Sequence, residues 1–485
     1  MTLQRIQIIG FAPDMPSDTA GALITSDRVV STSRGIKPGW SDPTTSRGSQ
    51  GDLGTAGVTG SYQARVPGGS YYYYVGQAAK LWESTSGGTS VTDRSKVGGY
   101  NSTDTTDGLW SFAQFGVKTL AINKFDTLQV ATTGSSAFAD VSGAPKGSIV
   151  CTVGEPTAPF AMVFNYNDGT DTPDGIFWSA LADYTDWTPD IATECGNISI
   201  LEPTGPFTAA IKFRDGVVAF KESSMFLGTY VGPPTVWQWQ RISSDIGCAG
   251  KYLVASASDV VYFADQHGIW RFDGSYPQLV PGPVQDYWAR FIWASASNTD
   301  AAQRQMVWDS IAHNLFVWAG GAGGLVWNAI SGVWLKCQEL ALNVLTLRPT
   351  AYVIGKDGST SHFFVTTINE NAATTGQVYI GYYGDPIRTQ QITRVAPIWL
   401  NNTTFSNAPT GTKCDLRAWP SIPVDPGLGT PTGVQSSSDD IALDTNARYF
   451  DASVSGNYFS IRIKDMPQNS EFRDVVIDIA PSGTS

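Results

Sequence analysis

The chain has 485 residues, with 31 Lys and Arg against 43 Asp and Glu and a formal net charge of −12. That balance lacks the basic footprint of a free nucleic-acid binder. Charged residues make up only 15%, aromatics 12%, and Gly numbers 50, a composition of short strands and tight turns.

The opening "MTLQRIQIIGFAP" is too short an apolar run for a secretory signal, and no cleavage pattern follows. No run of about 18 apolar residues exists, so no stable membrane anchor is expected. Five cysteines, Cys151, Cys195, Cys248, Cys337 and Cys414, are odd in number and widely spaced. They read as free, mostly buried thiols of a chain folded in a reducing cytoplasm. Residues 1–57 are turn-rich and weakly periodic. "SDPTTSRGSQGDLGTAG" is mostly Ser, Thr, Gly and Asp, too polar to pack a core alone, and reads as an extended arm ordered on a partner.

From residue 58 short alternating runs appear between Gly, Asn and Asp turns. "SYYYYVGQAAKLWES" (70–84) is one pair, and "KTLAINKFDTLQVAT" (118–132) another, turning at Asn123 to Asp126. "AAIKFRDGVVAFKESSMFLGTYV" (209–231) carries Asp215-Gly216 between alternating flanks, the strongest hairpin signal in the chain. Residues 252–274 and 306–337 repeat the arrangement. Aligned on a third strand, these units have anchors at Trp82, Gln129, Trp178, Leu227, Trp270 and Trp327, spaced by 47, 49, 49, 43 and 57 residues. About four strands in each period of roughly 40–50 residues is the pattern of propeller blades. The sequence therefore predicts an all-β fold: a divergent β-propeller of about six blades over 58–385, an extended N-terminal arm over 1–57, and a small C-terminal β-module over 386–485.

In "GIFWSALADYTDWTP" (175–189), Phe177 and Trp178 are expected on a third strand and Trp187 on a fourth. "VWNAISGVWLK" has the same form with Trp327 and Trp334. An active-site aromatic should occur once and a packing aromatic should recur, so these read as packing between blades. After 385 the rhythm breaks. Residues 406–440 are rich in Pro, Gly and Ser and read as a long loop or a Pro-studded edge. The chain then returns to strands, turning at Ser455-Gly456-Asn457. The best short helix candidate is "DYWARFIWAS" (286–295).

Catalytic patterns are missing. His267, His313 and His362 are about 50 residues apart, without the spacing of a zinc site. No Gly-x-Ser-x-Gly elbow and no phosphate loop is present, and "GGAGG" (320–324) reads as a hairpin tip. "FNYNDGTDTPDG" places Asn165, Asn167 and Gly169 at alternating positions beside Asp168, Asp171 and Asp174, but a calcium loop's terminal Glu is missing. Asp183 and Asp186 read as turn caps before they read as a glycosidase pair, which usually comes from separate strands. The reading names no catalytic, cofactor or metal residue and no cofactor.

Three stretches carry a resemblance: the opening arm, "DGIFWSALADYTDWTP", and "SSDIGCAGKYLVASASDVVYFADQHGIWRFDG" (243–274). In the last, Gly247-Cys248-Ala249-Gly250 precedes a strand and "FADQHGIWRFDG" follows. With the closing "VSGNYFSIRIKDMPQNSEFRDVVIDI", they resemble the tail nozzle proteins of short-tailed bacteriophages. The likeness is densest over 200–370. It implies a structural virion protein with no enzymatic activity, made in the bacterial host cytoplasm and located in the phage tail. It implies a homo-hexameric ring below the adaptor ring, next to a tail fibre, spike or needle. That ring would retain genomic DNA and conduct it without sequence-specific binding. An acidic total suits a duct that should not grip phosphate. The alternative is a propeller that binds or degrades glycans on a virion.

Overall fold

The computed structural model describes residues 2–16, 19–39, 51–66, 68–85, 91–102, 108–294, 304–319, 323–337, 343–346, 351–357, 360–366, 376–384, 388–400, 411–421, 434–443, 449–467 and 470–481. Among them strands dominate, and the alternation of apolar and polar residues explains why. Most inner pairs bury one face or both, and short connections join them.

Seven four-stranded antiparallel sheets are formed. Blade 1 comprises Val58–Arg65, Tyr71–Gln77, Leu81–Thr85 and Thr92–Asp93. Blade 2 comprises Ser111–Phe115, Lys118–Ile122, Gln129–Thr132 and Ala139–Asp140. Blade 3 is Ile149–Glu155, Ala158–Asn167, Asp171–Trp178 and Gly196–Ser199; blade 4 is Phe207–Phe213, Gly216–Lys221, Met225–Gly232 and Val236–Ser243. Blade 5 is Val254–Ala257, Val260–Ala264, Ile269–Phe272 and Gln278–Leu279; blade 6 is Arg304–Asp309, Asn314–Ala319, Gly324–Asn328 and Trp334–Cys337. Blade 7 takes Asn343–Thr346, Ala351–Asp357 and Thr360–Thr366, then borrows its fourth strand, Gly51–Gly54, from the N-terminal side of blade 1. The first strand of each blade lies against the first strand of the next, and that of blade 7 against that of blade 1. The ring is closed, and the fold is a β-propeller.

All six sequence anchors fall on third strands, those of blades 1 to 6. The sheet beyond the expected six is the one assembled from two distant stretches of chain. Recurrent aromatics fill the seams, as edge-on or tilted pairs. Tyr74 meets Phe138 at 5.5 Å between blades 1 and 2, and Phe115 meets Tyr184 at 5.4 Å between blades 2 and 3. Phe164 and Phe207 lie 5.3 Å apart between blades 3 and 4, and Phe220 and Phe263 4.7 Å apart between blades 4 and 5. Trp187 is buried as a packing residue, but it sits in the loop before the fourth strand rather than on it, edge-on to Phe177 at 5.5 Å. The Asp215-Gly216 hairpin forms one residue out of step. Arg214 takes a positive φ of 53°, and Gly216 opens the second strand. A Cβ on Gly216 would run into the Gly228 carbonyl, so this glycine serves close strand approach.

Residues 2–38 depart from the expected arm. Thr2–Gln7 pairs along Phe472–Pro481, and Ala22–Asp27 pairs with Gly376–Gly384. Ile36–Pro38, beside Phe472–Pro481, and then Val29–Ser31 extend the first of two six-stranded sheets, which also holds Gln390–Trp399 and Phe450–Gly456. The second sheet runs Gly10–Phe11, Ala22–Asp27, Gly376–Gly384, Tyr458–Met466, Lys413–Trp419 and Ser436–Ala442. Ile6, Leu23, Ile392, Leu416, Phe459, Ile461, Phe472 and Ile477 share one core between the two sheets, a β-sandwich. The stretch "ALITSDRVVS" has strand alternation, and the polar residues around it masked that signal. Gly376–Gly384 also belongs to the sandwich, though it precedes residue 385. The turn at Asn457 carries the chain from one sandwich sheet to the other. Of the Pro/Gly-rich 406–440 segment, 406–410 and 422–433 lie outside the described residues, and so does 41–50 of the arm.

The sandwich docks on the outer strand of blade 6. Leu335 enters the sandwich core, Ser26 Oγ donates to the Lys336 carbonyl (2.8 Å), and Asn328 Nδ2 to the Ser31 carbonyl (3.2 Å). Residues 286–295 do start as helix: Gln285–Tyr287 is one α-turn, continuing as a π-helix over Trp288–Trp293. Asp14 accepts the Asp286 and Tyr287 amides, both at 2.9 Å, and so caps this helix from the N-terminal segment.

If residues 2–38 are integral, Leu23→Ala should destabilise as a core deletion does, by about 2–5 kcal/mol, matching Ile461→Ala from the other end of the chain. Denaturant unfolding followed by tryptophan fluorescence checks this. A change within about 0.5 kcal/mol at Leu23 would mark a free arm.

Candidate functional site

The place where the chain departs from a plain propeller is its axis. Inner strands begin on one face of the ring, and blade 5 is entered there through residues 247–253. Lys251 Nζ donates to the Leu109 carbonyl at 2.6 Å. The Tyr252 hydroxyl donates to the Trp110 carbonyl, with the Thr59 carbonyl also in reach at 3.2 Å. Thr59 belongs to blade 1, and Leu109 and Trp110 lead into blade 2. In ring order both blades stand three places from blade 5, on the opposite side. The axis is therefore bridged by side chains at this face. Burial pushes the Tyr252 hydroxyl well above the ordinary phenol range, so it stays protonated and remains a donor.

The Gly247-Cys248-Ala249-Gly250 motif makes this approach sterically feasible. A Cβ on Gly247 would strike the Lys221 and Glu222 carbonyls. Cys248 N–H donates to the Lys221 carbonyl (3.1 Å), the Cys248 carbonyl accepts from Thr208 Oγ1 (2.6 Å), and Ala249 N–H donates to the Ala264 carbonyl (3.0 Å). The sequence reading picked out the motif but not Lys251 or Tyr252. Their partners lie 142 and 193 residues away, beyond any local pattern.

Four other polar clusters are built into the sheets. Buried Lys221 places Nζ 2.6 Å from Asp174 Oδ1 and 2.7 Å from the Ile200 and Pro203 carbonyls, clipping blade 4 to blade 3. Buried Glu83 accepts from Tyr74 Oη (2.6 Å), from Arg94 (2.9 Å) and from the Gly134 amide (3.1 Å), tying blade 1 to blade 2. Lys96 joins Asp126 (3.2 Å) and Asp140 (2.9 Å). Burial pulls its pKa down, and the two carboxylates outweigh that and hold it above the usual lysine range. In the sandwich, Lys464 lies between Asp415 (2.7 Å) and Asp440 (3.0 Å), with its pKa raised in the same way. In each cluster the carboxylates have internal donors, as buried charge requires.

The residues weighed from sequence are scattered rather than gathered. His267 is exposed in the blade 5 turn, where Asp265 Oδ1 accepts the His267 and Gly268 amides and the Trp270 indole (2.8, 2.8 and 3.0 Å). His313 occupies a blade 6 turn with φ 55°, and the side chain of His362, in blade 7, lies outside the described residues. Asn165 bonds both ways with the Phe207 backbone of the next blade (2.8 and 2.7 Å), and Asn167 Oδ1 accepts the Gly169 amide (3.0 Å). Asp168 is exposed and Asp171 begins a strand, while Asp174 is taken by Lys221. Asp183 accepts from Thr185 N–H and Oγ1 (2.8 and 2.6 Å) and Asp186 from the Thr188 amide (3.0 Å), as turn caps do. Of "GGAGG", residues 320–322 lie outside the described residues, and Gly324 opens the third strand of blade 6. Among the described residues no group of three His, Cys, Asp or Glu is placed to hold a metal ion, and no helix is long and apolar enough to cross a membrane.

Cys151, Cys195, Cys248 and Cys414 are free and buried, and the Cys337 side chain lies outside the described residues. Burial raises all four thiols, Cys195 and Cys248 to about 12.

No family model matches the chain, and no curated protein matches it. Among solved structures it is similar to YCF48 bound to D1 peptide, with 12% identity over 64% of this chain and 93% of that one, at a TM-score of 0.40. YCF48 from Cyanidioschyzon merolae gives 11% identity over 64% and 96%, at 0.38. The computationally designed Ika8 protein gives 12% over 68% and 86%, at 0.36. The propeller assignment rests on sheet order and ring closure above.

Two measurements test the buried groups. Lys221→Ala leaves Asp174 without its ion-pair partner and should cost about 3–5 kcal/mol in denaturant unfolding; a loss below about 1 kcal/mol would show the pair to be solvated. The raised thiols, with Tyr62 held near 12 by burial, bind protons in the folded state that the unfolded chain has released. Stability should therefore be full below the unfolded thiol value of about 9 and fall as pH rises above it. Melting temperatures at pH 8 and pH 10 read this, and an unchanged value would contradict the burial.

Proposed function

We propose that this chain is a structural virion subunit: a nozzle protein of a short phage tail, six copies of which form the duct through which DNA is retained and ejected. The observation that carries this reading is where the resemblance falls. Residues 243–274 run without a break from the end of blade 4, through the axis-bridging segment, to the third strand of blade 5. The likeness therefore covers the axis-bridging segment and three of the four strands of blade 5, including the glycine that its packing requires.

The physical character of the chain supports the reading. Three of its four polar clusters join blades, and the fourth lies in the sandwich. Its propeller axis is crossed by Tyr252, so duplex DNA has no path through a single chain, and a duct would be enclosed between copies. A wall with more Asp and Glu than Lys and Arg repels phosphate and lets the duplex slide. The adaptor ring above and a fibre, spike or needle below belong to the same proposal, as does location in the virion after synthesis in the host cytoplasm.

Native mass spectrometry of the protein alone, and then with a purified portal–adaptor complex, tests it. Six copies per complex are expected. A monomer that ignores the complex would contradict the proposal.

A further inference from the structure

We propose that residues 247–253 form a cross-brace that holds the propeller shut at the seam between blade 7 and blade 1. This inference concerns the single chain and stands apart from the function proposed above.

The seam is where the ring is closed without chain continuity. Every other blade is continuous in sequence, whereas blade 7 is completed by Gly51–Gly54, which registers with only three residues of Thr360–Thr366: Gly54 with Ser361, Asp52 with His362 and Gly51 with Phe363. A register shift interrupts even that short ladder. Fourth-strand ladders in blades 1, 2 and 5 are shorter, two residue pairs each, but there the strand follows its own third strand directly in the chain. An edge that chain continuity does not hold in place opens locally at low free energy.

The brace reaches the chain just beyond that seam. Its Tyr252 hydroxyl and Lys251 amine hold the carbonyls of Thr59, Trp110 and Leu109, which begin blades 1 and 2. The Trp110 amide in turn donates to the Thr59 carbonyl at 3.0 Å, so the two blade entrances are clamped together. Its other end is fixed to blade 4 through Cys248 and Thr208, to blade 5 through Ala249 and Ala264, and to blade 6 through the Tyr252 carbonyl, which accepts the Met306 amide at 2.8 Å. Blade 1 thus cannot swing away from blade 7 without pulling on blades 4, 5 and 6. Gly60 makes room for the brace: a Cβ there would fall on the Tyr252 hydroxyl and lie 2.8 Å from the Trp110 carbonyl. This glycine has no positive φ and sits within a strand, at a register shift between Val58 and Gly60.

Hydrogen exchange by mass spectrometry on the full chain tests the brace, with three variants. Tyr252→Phe removes the hydroxyl alone, Lys251→Met removes the amine, and Gly60→Ala displaces the hydroxyl without touching the brace. Amides of 51–65 and 109–113 should exchange about fivefold faster or more in each, the effect of losing roughly 1 kcal/mol. Amides of Ala158–Asn167 in blade 3, far from the seam, should be unchanged. Should one variant fail to fold, the other two give the same readout. Acceleration confined to 109–113, leaving 51–54 at its original rate, would overturn the proposal. So would uniform acceleration of all blades, or no change in any variant.

Discussion

The structure depends on closing a ring of sheets. An open ring would expose the faces that blades 7 and 1 pack against each other. Here closure is made by Gly51–Gly54, a strand that precedes blade 1 in sequence and completes blade 7 in space. That one pairing fixes the rest of the chain path. It brings the segment before residue 51 and the segment after residue 366 to the same part of the ring. The two then combine into one sandwich, with Thr2–Gln7 zipped along Phe472–Pro481. The propeller is thus an insertion between the halves of a second β-unit, and opening it at the seam strains both.

The seams between blades follow one physical rule with local variations. Large aromatics fill the space between adjacent sheets, and at two seams a buried charged group bonds across as well. Lys221 clips blades 3 and 4, and Glu83 ties blades 1 and 2. Each such group has its donors or acceptors met, because an unmet buried charge would cost more than the packing gains. Conformation and close approach account for the key glycines. Gly216, Gly247 and Gly60 stand where a carbonyl or hydroxyl occupies the space a Cβ would need.

Much of this was legible in the residues. The six anchors landed on third strands because period-2 burial and turn chemistry recur locally in each blade. Recurrence also marked Trp178 and Trp327 as packing residues, and Asp183 and Asp186 read as the turn caps they are. What escaped was non-local. Blade 7 has no contiguous four-strand signal, since its last strand lies some 300 residues upstream. The N-terminal strands were hidden by polar neighbours, and their partners are at the far end of the chain. Lys251 and Tyr252 look ordinary in sequence; only the folded ring places them across the axis from Leu109 and Trp110. Trp187 was buried as expected, yet a 17-residue loop, 179–195, delays the fourth strand past it.

The propeller's own axis is crossed by Lys251 and Tyr252, so in the proposed nozzle the DNA would pass between copies. A cryo-electron microscopy reconstruction of the assembled protein tests this most directly. The account predicts a symmetric ring with its duct between chains and, in every propeller, side-chain density from Tyr252 reaching the Trp110 carbonyl. A propeller with an open axis, or one with a ligand seated on the axis and residues 247–253 displaced, would contradict it.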